Sequence, residues 1–189
     1  MKKVLLLLAQ GFEIYEASVF IDVMGWNLVD GDGTTQLYTC GFSKEVKSSF
    51  NQKFVVDCLI NEVNIDEYDA LAIPGGFEEY GFYQEAYRDD FAKIIRSFNA
   101  QNKPICSICT GALSIANSGI LDGKNATTYF TRRKQLEDFG VKVIEKPVVQ
   151  EDNITTSWNP STALDVAFQL LKKLTSKANA ENVKSLMGF

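Results

Sequence analysis

Short, fully apolar runs recur along this chain, and each is followed by a longer stretch with helical spacing. Two of the runs, L-L-L-L-A at 5–9 and A-L-A-I at 70–73, are apolar at every position rather than at alternate ones. Strands buried on both faces have this composition, whereas a half-solvated strand alternates. Such strands, separated by helices, favour a mostly parallel sheet with helices on both faces. The sequence therefore predicts an α/β fold with a doubly wound sheet.

The predicted elements alternate in type along the chain. Strands are expected at residues 3–9, 37–41, 69–73, 105–108, 126–128 and 141–144, and a hairpin around 151–153. Helices are expected at 15–26, 88–100, 111–118, 132–139, 161–174 and 180–186. The chain has 189 residues, 46% of them hydrophobic, and no segment has the composition of a linker or a repeat. We therefore expect residues 1–189 to form a single domain.

Composition argues against several classes of partner. Lys and Arg total 19 against 24 Asp and Glu, which gives a net charge of -5, and no basic run offers a track for nucleic acid. The lysines before the first apolar run imitate a signal peptide, but the run is short and no cleavage site follows, so we interpret it as a buried strand. No other segment approaches the length of a membrane span. A cytoplasmic location follows as the expectation, with thiols rather than disulfides.

The stretch P-I-C-S-I-C-T-G-A at 104–112 contains two cysteines in C-x-x-C spacing. We place Cys106 inside a strand and Cys109 at its end, where an extended segment would separate their Cα atoms by about 10 Å, too far for a disulfide. Zinc lacks ligands, because the chain contains no histidine and no second C-x-x-C. Neither a metal nor a cofactor is expected. Cys106 is interpreted as structural and Cys109 as the reactive residue.

A residue at a sharp turn from strand to helix has the geometry of a nucleophile elbow. The following helix N-terminus favours a thiolate, so we expect the pKa of Cys109 to lie below its usual value of about 8.5. The alternative is that Cys109 is a small buried hydrophobic residue, which is the usual fate of a free cysteine.

Two other segments should reach the same edge of the sheet, where the carboxyl ends of the strands meet. Gly75 and Gly76 follow a buried strand, and their amides are candidate donors to an oxyanion, although a tight turn would also explain them. Glu16 lies early in the first predicted helix, from where its carboxyl group can reach the thiol. It could equally be a solvated acid that favours the helix dipole. Glu13, just before that helix, is expected to matter less.

Several motifs together resemble the ThiJ/PfpI (DJ-one) superfamily, and in particular its Parkinson-associated protein deglycase subfamily. They are G-F-E-I-Y-E-A, A-I-P-G-G, I-C-T-G-A-L, S-G-I-L-D-G-K-N-A-T-T and T-S-W-N-P-S-T, spread over residues 3–174. The resemblance implies a flavodoxin-like fold, a homodimer, and Cys109 as a nucleophile hydrogen-bonded to Glu16. It also implies a pocket formed with Gly75, Gly76 and Thr110, and an elbow cysteine that oxidises readily to a sulfinate.

The chain departs from this family at two positions. Protease-like members have a histidine after the nucleophile, where this chain has Thr110, and many glyoxalase and deglycase members have one where this chain has Tyr129. A phenol with a pKa near 10 is a weak base at neutral pH, although it can donate a hydrogen bond. A Cys-His protease mechanism is therefore excluded.

Three functions remain open from the sequence. The first is an enzyme in which Cys109 adds to an electrophilic carbon, such as a reactive dicarbonyl or its adduct. The second is an isocyanide hydratase, a variant of the first enzyme, although known isocyanide hydratases carry their acidic residue in a different N-terminal motif. The third is a non-enzymatic sensor of oxidative stress that responds through oxidation of Cys109. The expected partner is thus a small electrophile or an oxidant.

Overall fold

The computed structural model describes all residues, 1–189, and is built around a seven-stranded sheet with the order β10-β11-β7-β6-β1-β2-β5. Its strands are β1 (Lys2–Leu7), β2 (Thr35–Gly41), β5 (Cys58–Leu59), β6 (Ala70–Ile73), β7 (Ile105–Ser107), β10 (Val148–Glu151) and β11 (Ile154–Ser157). Only the β10–β11 pair is antiparallel. The parallel strands β2-β1-β6-β7-β11 follow the flavodoxin-like order. The predicted fold class is therefore confirmed.

Two small sheets and seven helices complete the chain. The small sheets are β3 (Glu45–Lys47) with β4 (Lys53–Val55), and β8 (Asn125–Ala126) with β9 (Lys142–Val143). The helices are α1 (Ile14–Val29), α2 (Phe82–Ala86), α3 (Asp89–Ala100), α4 (Gly111–Asn117), α5 (Arg133–Asp138), α6 (Ala163–Leu174) and α7 (Lys177–Leu186). None of them is both long and apolar enough to cross a membrane.

Strand β1 shows why its sequence is apolar at every position. Val4 and Leu6 pack on one face with α1, α6 and α7, whereas Leu5 and Leu7 pack on the other with α3 and α4. All four side chains are fully buried. Because both faces are covered, neither face can carry a polar residue at low cost.

Most predicted elements are present with shifted ends, and four were missed. The predicted strands at 126–128 and 141–144 form the side pair β8–β9 rather than part of the main sheet. The missed elements are β3, β4, β5 and α2, none longer than five residues. Strand β3 reads E-V-K with only Val46 buried, so its pattern does not differ from that of a loop. Such short elements depend on tertiary contacts rather than on a repeated pattern.

Candidate active site

Cys109 lies at the turn between β7 and α4 with a φ of +53°, a backbone conformation that few residues other than glycine adopt. The strained turn directs its side chain out of the strand, as in a nucleophile elbow. Gly111 permits the close approach that follows, because a Cβ there would lie 2.8 Å from the carbonyl oxygen of Ile73. The predicted elbow is thus present in the backbone.

Two distant segments hold the elbow in place. The Cys109 amide donates to the carbonyl of Ser157 at 2.9 Å, and the Thr128 hydroxyl donates to the Cys109 carbonyl at 2.9 Å. Both Ser157 and Thr128 are buried. The late motifs A-T-T and T-S-W therefore have a physical role, since their hydrogen bonds fix the turn that carries the sulfur.

The position of Glu16 is set by the segment that enters α1. Phe12 forms an isolated antiparallel bridge with Gly76, and the Glu13 amide donates to the Gly75 carbonyl at 2.8 Å. These contacts place the first turn of α1 against the loop after β6. The Glu16 side chain is 0% exposed, which rules out a solvated helix-start acid. Its Oε2 accepts the Gly75 amide at 2.7 Å, and its Oε1 has no hydrogen-bond partner.

The two glycine amides do not serve as oxyanion donors, contrary to expectation. The Gly75 amide is bonded to Glu16, and the Gly76 amide donates to the Thr110 hydroxyl at 2.9 Å. That hydroxyl in turn donates to the Gly76 carbonyl at 2.9 Å. A Cβ at Gly75 would lie 2.8 Å from the Thr110 amide nitrogen, so the loop needs glycine in order to approach the elbow. The glycines position Glu16 and Thr110 and leave the Thr110 amide as the donor beside the sulfur.

Burial raises the pKa of both the Glu16 carboxyl group and the Cys109 thiol. Burial raises the pKa of Glu16 well above its usual value of 4.5, and the charge of Glu13 raises it further. Burial also raises the pKa of the Cys109 thiol, with the Glu16 charge as the next cause, and only the Thr110 amide lowers it appreciably. The expected low thiol pKa is therefore wrong. An ionised Glu16 next to a thiolate would place two like charges in a desolvated site, so the pair retains a proton.

A pocket of about 310 Å³ opens above the sulfur. Cys109, Gly76, Thr110 and Tyr129 line it, whereas Glu16 and Gly75 lie behind it. Cys109 itself is only 7% exposed, so a small molecule has to enter the pocket in order to reach it. The structure thus brings the six predicted site residues together, four of them lining the pocket and two behind it.

The aromatic run at 77–83 both lines the pocket and packs. Phe77 and Tyr83 lie in the pocket wall, whereas Phe82 is fully buried and Tyr80 packs edge-on against Phe77. The Tyr83 hydroxyl is buried without a hydrogen-bond partner. Burial raises the pKa of Tyr83 to about 12, so it stays protonated at neutral pH. Its O–H is therefore available as a donor to a bound molecule.

Four charged residues line the pocket, and none of them was predicted there from the sequence: Glu13, Glu78, Glu79 and Arg132. Glu13 lines the pocket, and its charge raises the pKa of both Glu16 and Cys109, although for Cys109 the charge of Glu16 is the larger cause. Arg132 and Glu78 form an ion pair of 2.9 Å at the pocket rim. Their segments are 54 residues apart, and no local motif links them.

The other member of the C-x-x-C motif lies away from the pocket. Cys106 is fully buried in β7, where burial raises the pKa of its thiol to about 11. Both Cys106 and Cys109 are free thiols, and no cluster of three or more Cys, Asp or Glu side chains has the geometry of a metal site.

The arrangement of elbow, buried acid and sheet order agrees with one known family. A model of the DJ-1/PfpI family matches residues 2–173. The chain belongs to the DJ-1/PfpI family. General stress protein 18 of Bacillus subtilis is 37% identical over 106 residues, which are 56% of this chain and 60% of that protein. An uncharacterised protein of Staphylococcus aureus is 32% identical over 178 residues, covering 92% of this chain and 98% of that protein.

Solved structures of other DJ-1/PfpI members support the same assignment. The crystal structure of Drosophila melanogaster DJ-1beta has a TM-score of 0.87 and 26% identity, and the alignment covers 98% of this chain and 97% of that one. Schizosaccharomyces pombe DJ-1 has a TM-score of 0.84 and 26% identity, with 99% of each chain covered. The resemblance stated from the sequence motifs is therefore confirmed at the level of family and fold.

Proposed function

We propose that this protein is a cysteine-dependent enzyme that acts on small reactive carbonyl compounds, such as dicarbonyls or their adducts. Cys109 is the nucleophile and Glu16 moves the protons. The observation that carries the proposal is the fully buried Glu16, with one oxygen free of hydrogen bonds, beside an elbow cysteine at the base of a pocket. A buried carboxyl oxygen without a hydrogen-bond partner destabilises the folded protein, and such groups occur preferentially at functional sites.

Glu16 supplies the function for which a histidine would otherwise be needed. A carboxyl group is a poor base at its usual pKa of 4.5, but burial raises the pKa of Glu16 well above that value. General acid-base catalysis is most effective when the pKa lies near the working pH. Glu16 can then accept the thiol proton as the sulfur attacks and return it later in the cycle. Loss of the imidazole is therefore compatible with catalysis at this elbow.

Methylglyoxal illustrates the chemistry. The Cys109 sulfur forms a bond to the aldehyde carbon, the thiol proton passes through Glu16 to the former carbonyl oxygen, and a hemithioacetal results. Glu16 next removes the proton from that carbon, and the resulting enediol is reprotonated at the neighbouring carbon to give a thioester. Water hydrolyses the thioester to lactate and the free thiol. The net reaction is methylglyoxal plus water to lactate, and it needs no external oxidant. The Thr110 amide is placed to stabilise the oxyanions.

Turnover of methylglyoxal and glyoxal by the purified protein tests this proposal. We expect no turnover by Cys109→Ala and a loss of at least about 100-fold in Glu16→Gln, in line with the usual contribution of a general acid-base group. Cys106→Ala is the matched control, because Cys106 is equally buried but lies outside the pocket. Absence of turnover by the parent protein, or equal rates in Glu16→Gln, would refute the enzyme assignment.

A second candidate is a sensor in which Cys109 oxidises without turnover. The name of the Bacillus subtilis relative, General stress protein 18, favours it. Peroxide would convert the thiol to a sulfenate with loss of water, and a second peroxide would convert that to a sulfinate. A protonated Glu16 can donate a hydrogen bond to the sulfinate. Intact mass after peroxide should then show a gain of two oxygens on Cys109, at a rate that changes in Glu16→Gln. Identical kinetics in the two proteins would show that Glu16 takes no part in the oxidation, and absence of any mass gain on Cys109 would exclude the sensor.

A further inference from the structure

We infer that Cys40 and Cys58 form a second redox site, a reversible disulfide that links β2 to the edge strand β5. The two cysteines are 18 positions apart in the sequence, but they lie directly opposite one another in the β2–β5 register. This site is separate from Cys109 and does not depend on the proposed function.

The register meets the distance requirement of a disulfide. Neighbouring strands lie about 4.8 Å apart, within the roughly 4.4–6.8 Å that separates the Cα atoms of bonded cysteines. Both side chains also lie on the same face of the sheet, because Cys40 belongs to the core of the α3 face and Cys58 packs against that core. The two thiols are close enough for one to hydrogen-bond the other. By contrast, the C-x-x-C motif spreads its cysteines along one extended segment.

A set of hydrogen bonds holds this register. The Asp57 carboxylate accepts the Thr39 amide at 2.7 Å and the Thr39 hydroxyl at 2.8 Å, and the Asp57 amide donates to the Thr39 carbonyl at 3.0 Å. Thr39 and Asp57 directly precede the two cysteines, so the same contacts align the sulfurs. Strand β5 is only two residues long and lies at the edge of the sheet. A small movement of β5 on disulfide formation would therefore disturb only one neighbouring strand, β2.

The two thiols differ in their access to an oxidant. Cys58 is half-buried, and its sulfur lies 3.9 Å from the Tyr68 hydroxyl, which can donate a hydrogen bond to a thiolate. Cys40 is fully buried, so an oxidant does not reach its sulfur directly. Cys58 is thus the residue that an oxidant can reach, and Cys40 is the one that resolves the product.

The proposed oxidation uses hydrogen peroxide. The Cys58 thiolate attacks one peroxide oxygen, the O–O bond breaks, and a sulfenic acid and water result after protonation. The Cys40 sulfur then attacks the Cys58 sulfur, the S–S bond forms, the S–O bond breaks, and a second water leaves with the Cys40 proton. Two thiols lose two electrons in total, and the peroxide is reduced to two waters. A dithiol reductant reverses the change.

Thiol counting and peptide mapping test the inference. The reduced parent protein has four free thiols, and we expect two after brief peroxide treatment when Cys109 is kept reduced. Under the same treatment the count in Cys106→Ser should fall from three to one. A Cys109→Ser background removes the pocket thiol, and there the count should fall from three to one. Trypsin cuts after Lys44 and Lys53, so a Cys40–Cys58 bond joins two separate peptides. The linked pair should be 2 Da lighter than the two free peptides and should separate with dithiothreitol.

Results from two substituted proteins and from the parent protein can contradict the inference. Cys58→Ser should abolish the linked peptide and leave Cys40 alkylatable, whereas Cys106→Ser should keep the link. The parent protein needs no substitution, so a folding defect in a variant cannot decide the result. Four titratable thiols after oxidation in the Cys109-reduced protein, a link between other cysteines, or accumulation of Cys58 sulfinate without a link would each overturn the inference.

Discussion

Replacement of Glu16 by Gln should change how the stability of this protein depends on pH. Burial raises the folded-state pKa of Glu16 well above 4.5, so above pH 4.5 the unfolded chain releases a proton that the folded chain retains. Stability therefore falls as pH rises, by up to about 1.4 kcal/mol per pH unit, until pH passes the folded-state pKa. Gln keeps the shape, can still accept the Gly75 amide, and does not titrate. This contribution to the slope should vanish in Glu16→Gln.

The stability difference between Glu16→Gln and the parent protein is best measured between pH 5 and 8, below the usual thiol pKa of 9.0. Urea denaturation at each pH gives the free energies of unfolding. The difference should grow in favour of Gln by up to about 1.4 kcal/mol per pH unit, or roughly 3–6 °C per unit in Tm for a chain of this size. Glu181→Gln is the control, because Glu181 is exposed and should leave the slope unchanged. A pH-independent difference would show that Glu16 ionises freely in the folded protein.

Three further outcomes follow from the same contacts. Gly75→Ala should destabilise the protein by about 2–4 kcal/mol, from overpacking and a disturbed hydrogen bond to Glu16, because the new Cβ would lie 2.8 Å from the Thr110 amide. Gly25→Ala in α1 meets no atom within 4 Å and should be neutral or stabilising by up to about 1 kcal/mol; equal losses in the two variants by urea denaturation would contradict the argument. Glu13→Gln removes a charge that raises the pKa of Glu16, so the fall in stability should end at lower pH than in the parent, and an unchanged profile would count against coupling. The homodimer that the family resemblance implies should give twice the chain mass in sedimentation equilibrium, and a monomer mass at micromolar concentration would refute it.

The fold could be predicted from the sequence because its signals are local and repeated. The run at 5–9 is apolar at each position, and the structure buries alternate residues against opposite helix layers. The helix spacing in α3 was visible for the same reason, since Phe91, Ile94, Ile95 and Phe98 all face one core. The edge elements β3, β4 and β5 have two or three residues each, too few for a period to emerge.

The candidate site was likewise predictable only where its signals are local. The elbow at Cys109 was predictable, because a strand signal ends there and T-G-A opens a helix. The burial of Glu16 was not, since an acid in the first turn of a helix is equally suited to solvent. It became a site residue because Phe12 pairs with Gly76 and presses that turn onto the loop after β6. The direction of the Cys109 pKa was mispredicted because the helix N-terminus is local, whereas desolvation comes from the whole fold.

The sequence by itself determined the longer elements, the mostly parallel character of the sheet and the cysteine at the turn, because hydrophobic period and turn chemistry act between near neighbours. Only the tertiary structure decided which groups are desolvated and which of them meet. It brought Cys40 and Cys58, 18 positions apart in the sequence, into register across two strands. In the tertiary structure the Gly75 amide also donates its hydrogen bond to Glu16, so it is not free to bind an oxyanion. These outcomes depend on contacts between segments far apart in the chain, which no local pattern encodes.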